Sequence, residues 1–523
     1  MELTEEQKAI IESEGNVVVI AVPGSGKTTT ISYKIGKILT DISEYNGIIA
    51  ISYTNKASDE LKDRVLRITP TIYNSFFGTI YNFYLSEIIV PFARYIFSMY
   101  REIEIVSYNQ TENEDFKDLT DEEKIQIIKD YYLDGKIILE GIPLFANYIF
   151  DCSQSCRKYL KSRYTHIFVD EYQDCEILQH NIFKKIVEIG IVGVAVGDPD
   201  QSIFKYSGSN PSYLLELSEM DSFNSFGLSI NHRSHKSIVN YAYKFLFPNN
   251  DYEIVDEKRI YKWNINGDEK ILANNIDALI PKLKNKFEID CNGKIAILCR
   301  SNSTAKTIFN YIETPAVCFF DSPLDKSSKD YEIMFKNLLV YILGSQKIYP
   351  ENIIDNLFIR INKKQYNHYI KNIIDLKKQY KDSKIIPIEN MKQIIKSLFG
   401  ETIDMSKIDE TMNDENYLQS YYPADEDKIL IMTIHKSKGL EFDATFLVDL
   451  HKYIIPTIDF QSGEYNDLNE DKCIHYVALT RAKKVVLLTI NSLRHNSRGE
   501  LKRGEESEFI SNITRPDLIL YRK

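Results

Sequence analysis

The 523-residue sequence predicts an α/β protein with two parallel-sheet units, each carrying a mainly helical insertion. Short runs of β-branched residues recur along the chain, and a helical pattern follows each of them, which is the alternation of an α/β fold. Several runs are apolar on both faces, as the central strands of a parallel sheet are. The runs form two groups, before and after about residue 228, and therefore predict two sheets. The clearest predicted strands lie at 16–22, 47–53, 166–171, 191–197, 294–300, 428–435, 444–450 and 485–490.

Two stretches interrupt this alternation. They are rich in Ile, Tyr, Lys and acidic residues at helical spacing and contain few strand signals, so they predict helical insertions. The predicted division of the chain is a first sheet unit at 1–80 and 164–228, its insertion at 81–163, a second sheet unit at 229–326 and 424–523, and its reduced insertion at 327–423.

Composition and charge exclude several classes of protein. Hydrophobic residues make up 43% of the chain and charged residues 27%, which excludes a disordered chain, a collagen-like fibre and a coiled-coil rod. The 64 basic and 75 acidic side chains leave a net charge of −11. We therefore expect any nucleic-acid site to be confined to a groove, because the surface as a whole does not attract phosphates.

The N-terminus and the cysteines indicate in which cellular compartment the protein is expected. The N-terminus is acidic and lacks the basic and apolar regions of a signal peptide. No uncharged apolar run approaches the roughly 20 residues that a bilayer span needs. The seven cysteines show neither disulfide nor metal-site spacing. We expect a cytoplasmic protein with reduced thiols and no membrane partner.

The strongest local signal follows the first predicted strand, where the chain reads Ala-Val-Pro-Gly-Ser-Gly-Lys-Thr. This is a phosphate-loop pattern between a strand and a helix, with Ala in place of the usual first Gly. A glycine-rich turn before a core helix is the alternative, which the order of strand, loop and helix disfavours. We expect Lys27 to bridge the β- and γ-phosphates of ATP and Thr28 to ligate Mg²⁺. The predicted ATP-binding residues of this loop are Ala21, Val22, Pro23, Gly24, Ser25, Gly26, Lys27, Thr28 and Thr29.

The strand predicted at 166–171 ends in two carboxylates, Asp170 and Glu171. Residues at the carboxyl end of a strand in such sheets lie beside the phosphate loop. We expect Asp170 to hold Mg²⁺ and Glu171 to orient or deprotonate the attacking water. On its own such a pair is usually a solvated strand end; in the company of Lys27 and Thr28 it predicts catalysis.

The complete set of motifs resembles the superfamily 1 DNA helicases of the UvrD/PcrA/Rep type. The resemblance runs from residue 7 to residue 481, and its most distinctive segments are Val-Asp-Glu-Tyr-Gln-Asp at 169–174, Thr-Ile-His-Lys-Ser-Lys-Gly-Leu-Glu-Phe at 433–442 and Tyr-Val-Ala-Leu-Thr-Arg-Ala at 476–482. It implies that the two sheet units are RecA-like motor domains with a mainly helical insertion in each.

The same resemblance implies roles around the nucleotide. In the family, residues at the positions of Arg233 and Arg481 reach the γ-phosphate from the second domain and act as arginine fingers. The residue at Gln201 couples the ATP site to the DNA track. The remaining implied contacts with the nucleotide are adenine recognition by Gln7, stacking on adenine by His232 and a ribose hydrogen bond from Glu441.

The resemblance also implies a track for single-stranded DNA. Stacking aromatics and phosphate donors are what a single strand requires. The implied base-stacking residues are Tyr53, Phe204 and Tyr206, and those near the backbone are Thr54, Asn55, Thr79, Arg300, Asn302 and His435. Several positions depart from the family pattern: Tyr206 replaces Trp, Ser207 replaces Arg, His232 replaces Tyr, and Ile80-Tyr81 replaces Phe-His. These changes leave the ATPase set intact and leave the strength of unwinding open.

The length of the chain and of its second insertion indicates which members of the helicase family it resembles most. The second insertion is shorter than is usual in the family, and we expect no appended nuclease domain. A compact motor of this kind resembles the helicase subunit of the Gabija anti-phage defence system, whose partner in a hetero-oligomeric complex is a nuclease of the overcoming-lysogenization (OLD) type, GajA-like.

Three hypotheses for function follow. In the first, the protein is a DNA translocase or helicase that moves 3′ to 5′ on single-stranded DNA or on tailed or forked duplex. In the second, it is a nucleotide- or DNA-sensing ATPase subunit that regulates a partner nuclease and unwinds little. In the third, it is a stand-alone DNA repair helicase. A phosphate-loop kinase or signalling NTPase that does not bind nucleic acid is disfavoured, because such a protein needs one sheet domain and has no use for Arg233, Arg300 and Arg481 in a second.

Overall fold

In the computed structural model, the described residues form two large parallel β-sheets, one in each half of the chain, and two further two-stranded sheets. The structure describes residues 3–97, 104–106, 108, 116–205, 208–325, 327, 329–345, 348–355, 363–400, 402–423, 425–459, 462–496, 499–511 and 519–522. The strands are β1 (Asn16–Ala21), β2 (Gly47–Ile51), β3 (Phe76–Gly78), β4 (Glu104–Val106), β5 (Lys136–Ile138), β6 (Tyr164–Val169), β7 (Val192–Gly197), β8 (Phe223–Leu228), β9 (Ile260–Ile265), β10 (Ile295–Cys299), β11 (Ala316–Cys318), β12 (Ile429–Thr433), β13 (Phe442–Leu447), β14 (Ala482–Asn491), β15 (Leu493–His495), β16 (Leu501–Arg503) and β17 (Leu520–Arg522).

Helices connect these strands and build both insertions. They are α1 (Glu5–Glu12), α2 (Lys27–Asp41), α3 (Asn55–Ile68), α4 (Ile80–Phe83), α5 (Val90–Phe97), α6 (Asp121–Leu133), α7 (Ile142–Cys152), α8 (Gln154–Arg163), α9 (Ile177–Glu188), α10 (Ser212–Glu219), α11 (Lys236–Leu246), α12 (Glu269–Lys286), α13 (Asn302–Tyr311), α14 (Asp330–Leu343), α15 (Pro350–Asp355), α16 (Lys363–Ser383), α17 (Ile388–Phe399), α18 (Ser406–Asn413), α19 (Glu415–Gln419), α20 (Leu468–Leu479) and α21 (Glu508–Ser511). The α/β prediction with two parallel sheets is confirmed.

The first sheet brings three functional segments to one edge. Its strand order is β3-β2-β6-β7-β1-β8, and every pair is parallel. Parallel strands share the direction of their carboxyl ends, so the residues that follow β1, β6 and β7 lie side by side. Helices cover both faces, as the burial of a parallel sheet requires: Val17 and Val19 pack in the cluster with Ile35 of α2, and Val18 packs in the opposite cluster.

The second sheet has the order β11-β12-β10-β13-β14-β9-β17 and is also parallel throughout. Arg300 follows β10 and His435 lies just beyond β12, so both stand at carboxyl ends of neighbouring strands. Arg481 directly precedes β14 and therefore stands at an amino end. The two predicted cations, Arg300 and Arg481, thus lie at opposite ends of the parallel strands.

The second insertion has a core of its own. Helices α14 to α18 bury Phe335, Ile373, Met391 and Ile408 in one cluster that contains no residue of either sheet. The first insertion combines helices with the short parallel pair β4–β5 and packs continuously with the core of the first sheet. Within the described part of the chain, no helix is both long enough and apolar enough to cross a membrane.

The eight predicted strands correspond to β1, β2, β6, β7, β10, β12, β13 and β14. The strands that the sequence did not predict are short or have polar faces. In β8, Asn224 and Ser225 are exposed and interrupt the apolar run, and β3 and β11 have three residues each. Apolar periodicity identifies a strand only where both neighbours and both faces bury it.

Candidate active site

The phosphate loop joins β1 to α2 through two left-handed glycines. Gly24 has φ +68° and Gly26 has φ +83°, values that favour glycine. A Cβ atom on Gly24 would lie 2.6 Å from the Cβ atom of Arg233, and one on Gly26 would lie 2.7 Å from Gln7 Nε2. The hydroxyl of Ser25 is buried and has no hydrogen-bond partner among the described residues. The loop therefore combines close packing behind it with a free donor, which fits a phosphate group.

Gln7 holds the loop from behind. Its side-chain Nε2 donates to the Ser25 carbonyl at 3.0 Å, and its Oε1 accepts from the Thr4 backbone N–H at 3.0 Å in a capping box that starts α1. The ammonium of Lys34, on α2, donates to the carbonyls of Ile10 and Ser13 at the end of α1. Both polar ends of Gln7 are thus bonded within the protein, and its role in adenine recognition remains a prediction.

Asp170 and Glu171 follow β6 and differ in their electrostatic surroundings. Burial, followed by the negative charge of Glu171, raises the pKa of Asp170 well above its usual value, while the Thr28 hydroxyl donates to its carboxylate. Burial also opposes ionisation of Glu171, but the charges of Lys27 and Lys438 and a hydrogen bond from a neighbouring amide outweigh it and lower the pKa of Glu171. Lys27 Nζ lies 3.9 Å from Glu171 Oε2. The predicted metal and water residues therefore lie together beside the loop.

A buried guanidinium connects the two sheet units. Arg481 is 2% exposed, and its Nη2 donates to Gln201 Oε1 at 2.8 Å. Its Nε and Nη1 donate to the carbonyls of Val477 and Leu440 at 3.1 and 3.2 Å, so all three sides of the fork are bonded. Gln201 in turn donates to the carboxylate of Asp198 after β7. The predicted arginine finger Arg481 and the residue predicted to couple the ATP site to the DNA track, Gln201, are thus in direct contact.

Lys438 forms a second connection between the units. Its ammonium pairs with the buried carboxylate of Asp174 and donates to the Gln201 carbonyl at 2.9 Å. The same ammonium lies 4.8 Å from the centroid of the Phe204 ring, in a cation–π contact. One cation therefore contacts the ATP side of the first unit and an aromatic residue of the predicted DNA track. Lys438 lies in the segment 433–442 that resembles the helicase family, but the sequence predicted no role for it.

Arg233 and Glu441 are partners. Arg233 Nε lies 2.8 Å from Glu441 Oε2, and the other Glu441 oxygen pairs with Lys483. Asn231 Oδ1 accepts from the backbone N–H of Arg233 at 2.8 Å and fixes the turn that packs against Gly24. The predicted ribose contact of Glu441 remains a prediction, since both carboxylate oxygens are engaged by cations here.

These groups surround one cleft with a volume of about 550 Å³ between the sheet units. Exposed His232 lies at its wall, and its backbone N–H donates to the Gly24 carbonyl at 2.9 Å. Predicted ATP residues that line the cleft are Gln7, Gly24, Ser25, Gly26, Lys27, Thr28, Thr29, Glu171, Gln201, His232, Arg233, Glu441 and Arg481. Lining residues that sequence reasoning missed are Leu3, Tyr33, Arg64, Gly439 and Lys483.

Four predicted residues lie behind or beside the cleft. Ala21 is buried, and the Val22 backbone N–H donates to the Leu228 carbonyl, so with Pro23 they end the strand and shape the loop from below. Asp170 lines a neighbouring apolar cavity.

Arg64 donates to the Thr29 hydroxyl at 3.2 Å. The sequence could not predict this role for Arg64, because α3 carries no recognised phosphate motif at that position and only the folded structure shows the contact.

The predicted DNA residues form two groups. Tyr53 and Phe204 stack on each other with centroids 5.0 Å apart, and the ring of His435 lies 6.3 Å from that of Phe204. Thr54 and Thr79 cap the N-termini of α3 and α4, and Asn82 Nδ2, which the sequence did not suggest, lies 3.5 Å from Asn55 Oδ1. These two N-termini together offer backbone donors to a phosphate.

The second group of predicted DNA residues lies on the second sheet. Arg300 Nη2 is 3.5 Å from the buried Asp471 Oδ1, and Asn302 begins α13. Burial, then the charges of Arg300 and Lys438, lower the pKa of His435 to about 4, so its ring is neutral at physiological pH. Tyr206 lies outside the described residues.

Comparison with known proteins gives two family matches and several similar relatives. Residues 6–207 match the AAA domain model, and residues 345–493 match the UvrD-like helicase C-terminal domain model. "Gabija protein GajB" of Bacillus cereus (strain VD045) is 28% identical over 514 residues, 94% of this chain and 96% of that protein. A "Probable DNA helicase II homolog" of Mycoplasma capricolum is 24% identical over 97% of this chain and 86% of its own. "ATP-dependent DNA helicase PcrA" of Staphylococcus aureus is 23% identical over 93% and 82%.

The buried pair of Lys438 and Asp174 predicts a large effect of a single substitution. Lys438→Met keeps the side-chain length and leaves the Asp174 carboxylate buried without its cation, so we expect the free energy of unfolding to fall by about 3–5 kcal/mol. Adding Asp174→Asn should recover much of that loss, because no uncompensated charge then remains. Chemical denaturation of the three proteins measures both effects.

The matched control is Lys205→Met. Lys205 also pairs across the units, with Asp467, but its side chain is largely exposed. An exposed pair of this kind contributes under about 1 kcal/mol. Equal destabilisation by the two lysine substitutions would contradict a special role for the buried pair.

Proposed function

Because the chain belongs to the UvrD-like superfamily 1 helicases, we propose that it hydrolyses ATP in the cleft between its sheet units and uses the reaction to move 3′ to 5′ along single-stranded DNA. The observation that carries this proposal is the contact of Arg481 with Gln201. It places a cation of the second unit in the same cleft as Lys27 of the first.

The proposal assigns the sheet units to two motor domains. Residues 1–80 and 164–228 form the first, with 81–163 as its insertion. Residues 229–326 and 424–523 form the second, with 327–423 as its insertion. The nucleotide would bind between them, so that its hydrolysis changes the contacts that join them. A cytoplasmic location follows from this activity as part of the same proposal.

The phosphates and the metal have identifiable partners. Among the described residues, no group of three or more His, Cys, Asp or Glu gathers into a closed metal cage. The Thr28 hydroxyl and the Asp170 carboxylate lie in contact beside the loop, which fits Mg²⁺, an ion that takes one or two protein oxygens together with substrate phosphates and water. Bound there, Mg²⁺ would neutralise charge on the β- and γ-phosphates. Lys27 and the loop N–H groups would hold the same phosphates.

Glu171 and the arginines would act on the transferring group. With its pKa held low, Glu171 is ionised at neutral pH and a weak base, so it is better suited to orient the attacking water as a hydrogen-bond acceptor than to remove its proton. Arg233 and Arg481 lie in the same cleft and would stabilise charge on the equatorial phosphate oxygens. Once the γ-phosphate has been released, neither Arg233 nor Arg481 would have this contact, and the attraction between the two units across the cleft would weaken.

Hydrolysis would be transmitted to the strand through Gln201 and Lys438. Gln201 of the first unit accepts a hydrogen bond from Arg481, and Lys438 of the second unit donates to the Gln201 carbonyl and contacts the ring of Phe204. Movement of the second unit would therefore change the stack of Phe204 on Tyr53, where bases are expected to insert.

The ATPase proposal predicts the effect of two substitutions. We expect Lys27→Ala and Glu171→Gln each to lower ATP turnover by roughly a hundredfold or more, the first through lost phosphate stabilisation and the second through lost orientation of water. Steady-state turnover with and without single-stranded DNA is the measurement. Lys294→Ala, on an exposed ion pair with Asp290 outside the cleft, is the control and should behave like the wild type. Robust turnover by both site variants would exclude this cleft as the ATP site.

The direction of movement predicts a difference between two substrates. A duplex with a 3′ single-stranded tail should be unwound in the presence of ATP, and the same duplex with a 5′ tail should not, because only the first loads the strand in the productive polarity. A strand-displacement assay with the Lys27→Ala variant as background measures both rates. Faster displacement of the 5′-tailed duplex would reverse the proposed polarity.

A second candidate function is an ATPase subunit that regulates a nuclease and unwinds little. The observation that favours it is the size of the chain. The alignment to GajB is 514 residues long and includes 96% of that protein, so the two chains are of similar length. The alignments to the helicase II homolog and PcrA are 630 and 614 residues long, which exceeds the 523 residues of this chain and shows that those helicases contain additional segments. DNA-stimulated turnover without strand displacement would favour this candidate over the first. A stand-alone repair helicase would unwind efficiently and need no partner.

The partner is proposed to be a nuclease of the OLD type in a Gabija-like defence complex. We expect the chain to co-purify with the product of an adjacent nuclease gene when the two are co-expressed, and the pair to restrict phage growth only together. Size-exclusion chromatography and plaque assays measure these outcomes. An isolated monomer beside such a gene product, with undiminished phage resistance, would count against the complex.

A further inference from the structure

The segment at 229–235 carries the chain from the first sheet unit into the second. It begins directly after β8, which ends at Leu228, and leads into α11, which begins at Lys236. Arg233, one of the two predicted arginine fingers, belongs to this segment and lines the ATP cleft. The placement of the segment therefore sets where the Arg233 guanidinium stands relative to the phosphates.

The later half of this connecting segment is held by the second unit. The hydroxyl of Ser234 donates to the Ala482 carbonyl at 2.7 Å, and the backbone N–H of His235 donates to the Lys483 carbonyl at 2.8 Å. Both acceptors belong to the start of β14. Asn231 Oδ1 accepts from the Ser234 backbone N–H at 2.9 Å and closes the turn around the arginine.

The earlier half is held by Glu6, a residue of α1. Glu6 Oε2 accepts from the backbone N–H of Ser229 at 2.8 Å, and Glu6 Oε1 accepts from the Ser229 hydroxyl at 2.5 Å. A charged acceptor makes each of these hydrogen bonds stronger than one to a neutral group. Ile230, the one residue between Ser229 and the Asn231 turn, is exposed. Burial does not fix the chain there, and the contact with Glu6 does so instead.

Helix α1 is itself fixed to the unit that contains the phosphate loop. The ammonium of Lys34 donates to two carbonyls at its C-terminal end. Gln7, in its first turn, donates to the Ser25 carbonyl of the loop at 3.0 Å. Glu6 directly precedes Gln7, so one turn of α1 contacts both the phosphate loop and the segment that carries Arg233.

We propose that Glu6 is a positioning residue for ATP hydrolysis, which holds Ser229 and thereby sets Arg233 at the γ-phosphate. The inference deepens the proposed function and rests on it. Glu6 is not among the described residues that line the cleft. It would therefore act through the connecting segment and not by touching the nucleotide.

This role predicts which kinetic constant responds. An arginine that stabilises charge on the transferring phosphoryl group acts mainly in the transition state, so its displacement lowers kcat. The contact of Gln7 with the phosphate loop does not involve Ser229. Binding of ATP in the ground state should therefore change little when the contact of Glu6 with Ser229 is lost.

The experiment measures kcat and KM for ATP with the full chain and saturating single-stranded DNA. Glu6→Ala should lower kcat roughly tenfold, within the loss of about a hundredfold that a 1 Å misplacement near the reacting atoms can cause. KM should change by less than about twofold, because uniform binding of ATP is unaffected. Glu6→Gln, which keeps one acceptor oxygen, should lose less of kcat than Glu6→Ala.

The matched control is Glu5→Ala. Glu5 is the neighbouring acidic residue in the first turn of α1, and it pairs with Lys8 at the exposed surface. Its removal takes the same charge from the helix N-terminus but leaves the contact with Ser229 in place, so turnover should match the wild type. Equal loss of kcat in the two variants would assign the effect to the helix terminus and overturn the inference.

A double substitution tests whether Glu6 acts through the arginine. Arg233→Ala alone should lower kcat strongly. Adding Glu6→Ala to it should lower kcat no further, whereas the effects of two independent sites would multiply. Multiplied effects, unchanged kcat in Glu6→Ala, or a rise in KM alone would overturn this inference and leave the proposed ATPase standing. Absence of ATP turnover by the wild type would overturn the proposed function and this inference with it.

Discussion

The guanidinium of Arg481 is the interaction on which the arrangement of the two sheets depends. A buried cation is costly unless every donor is bonded, and Arg481 meets that condition only because Gln201 of the first unit supplies one of its acceptors. Burial, then repulsion from Arg233, lowers the pKa of Arg481 to about 9, which still leaves it charged at neutral pH. The units are therefore held at the separation at which this hydrogen bond forms. Any group that competes for the guanidinium changes the geometry of the whole cleft.

The distribution of charge across the cleft extends the same principle. The first unit contributes carboxylates after β6 and β7, and the second contributes cations that face them, so that attraction across a poorly screened gap replaces an apolar interface. A net charge of −11 is compatible with this arrangement because Arg481 and Lys438 supply positive charge locally, where the two units meet. An acidic chain can therefore bind an anionic ligand in this cleft, because the residues around the ligand include these cations.

The sequence sufficed for the local motifs and for the inner strands that are apolar along their length, whereas it missed β9, an inner strand that contains the polar residues Lys262 and Asn264. A strand that is apolar along its length and a phosphate loop that needs its glycines in a fixed local order both leave a pattern in neighbouring residues. Partners from distant parts of the chain leave none. The pairing of Glu441 with Lys483, the donation from Arg64 to Thr29 and the stacking of Tyr53 on Phe204 depend on how separate elements meet. Among the edge strands, β8 contains polar residues because solvent replaces one of its neighbours, and β3, β11 and β17 have only three residues each.

The opposite pKa shifts of Asp170 and Glu171 show how adjacent residues can take different roles. The raised pKa of Asp170 means that its anion is unfavourable beside Glu171 in a buried setting, so the site gains when positive charge arrives next to it. Glu171 already has that charge from Lys27 and Lys438 and stays ionised. A divalent cation bound through Thr28 and Asp170 would favour ionisation of Asp170, and proton release would accompany its binding. Metal binding and the charge of the cleft are therefore linked through a carboxylate that belongs to the first unit alone, whereas the arginines that complete the site belong to the second.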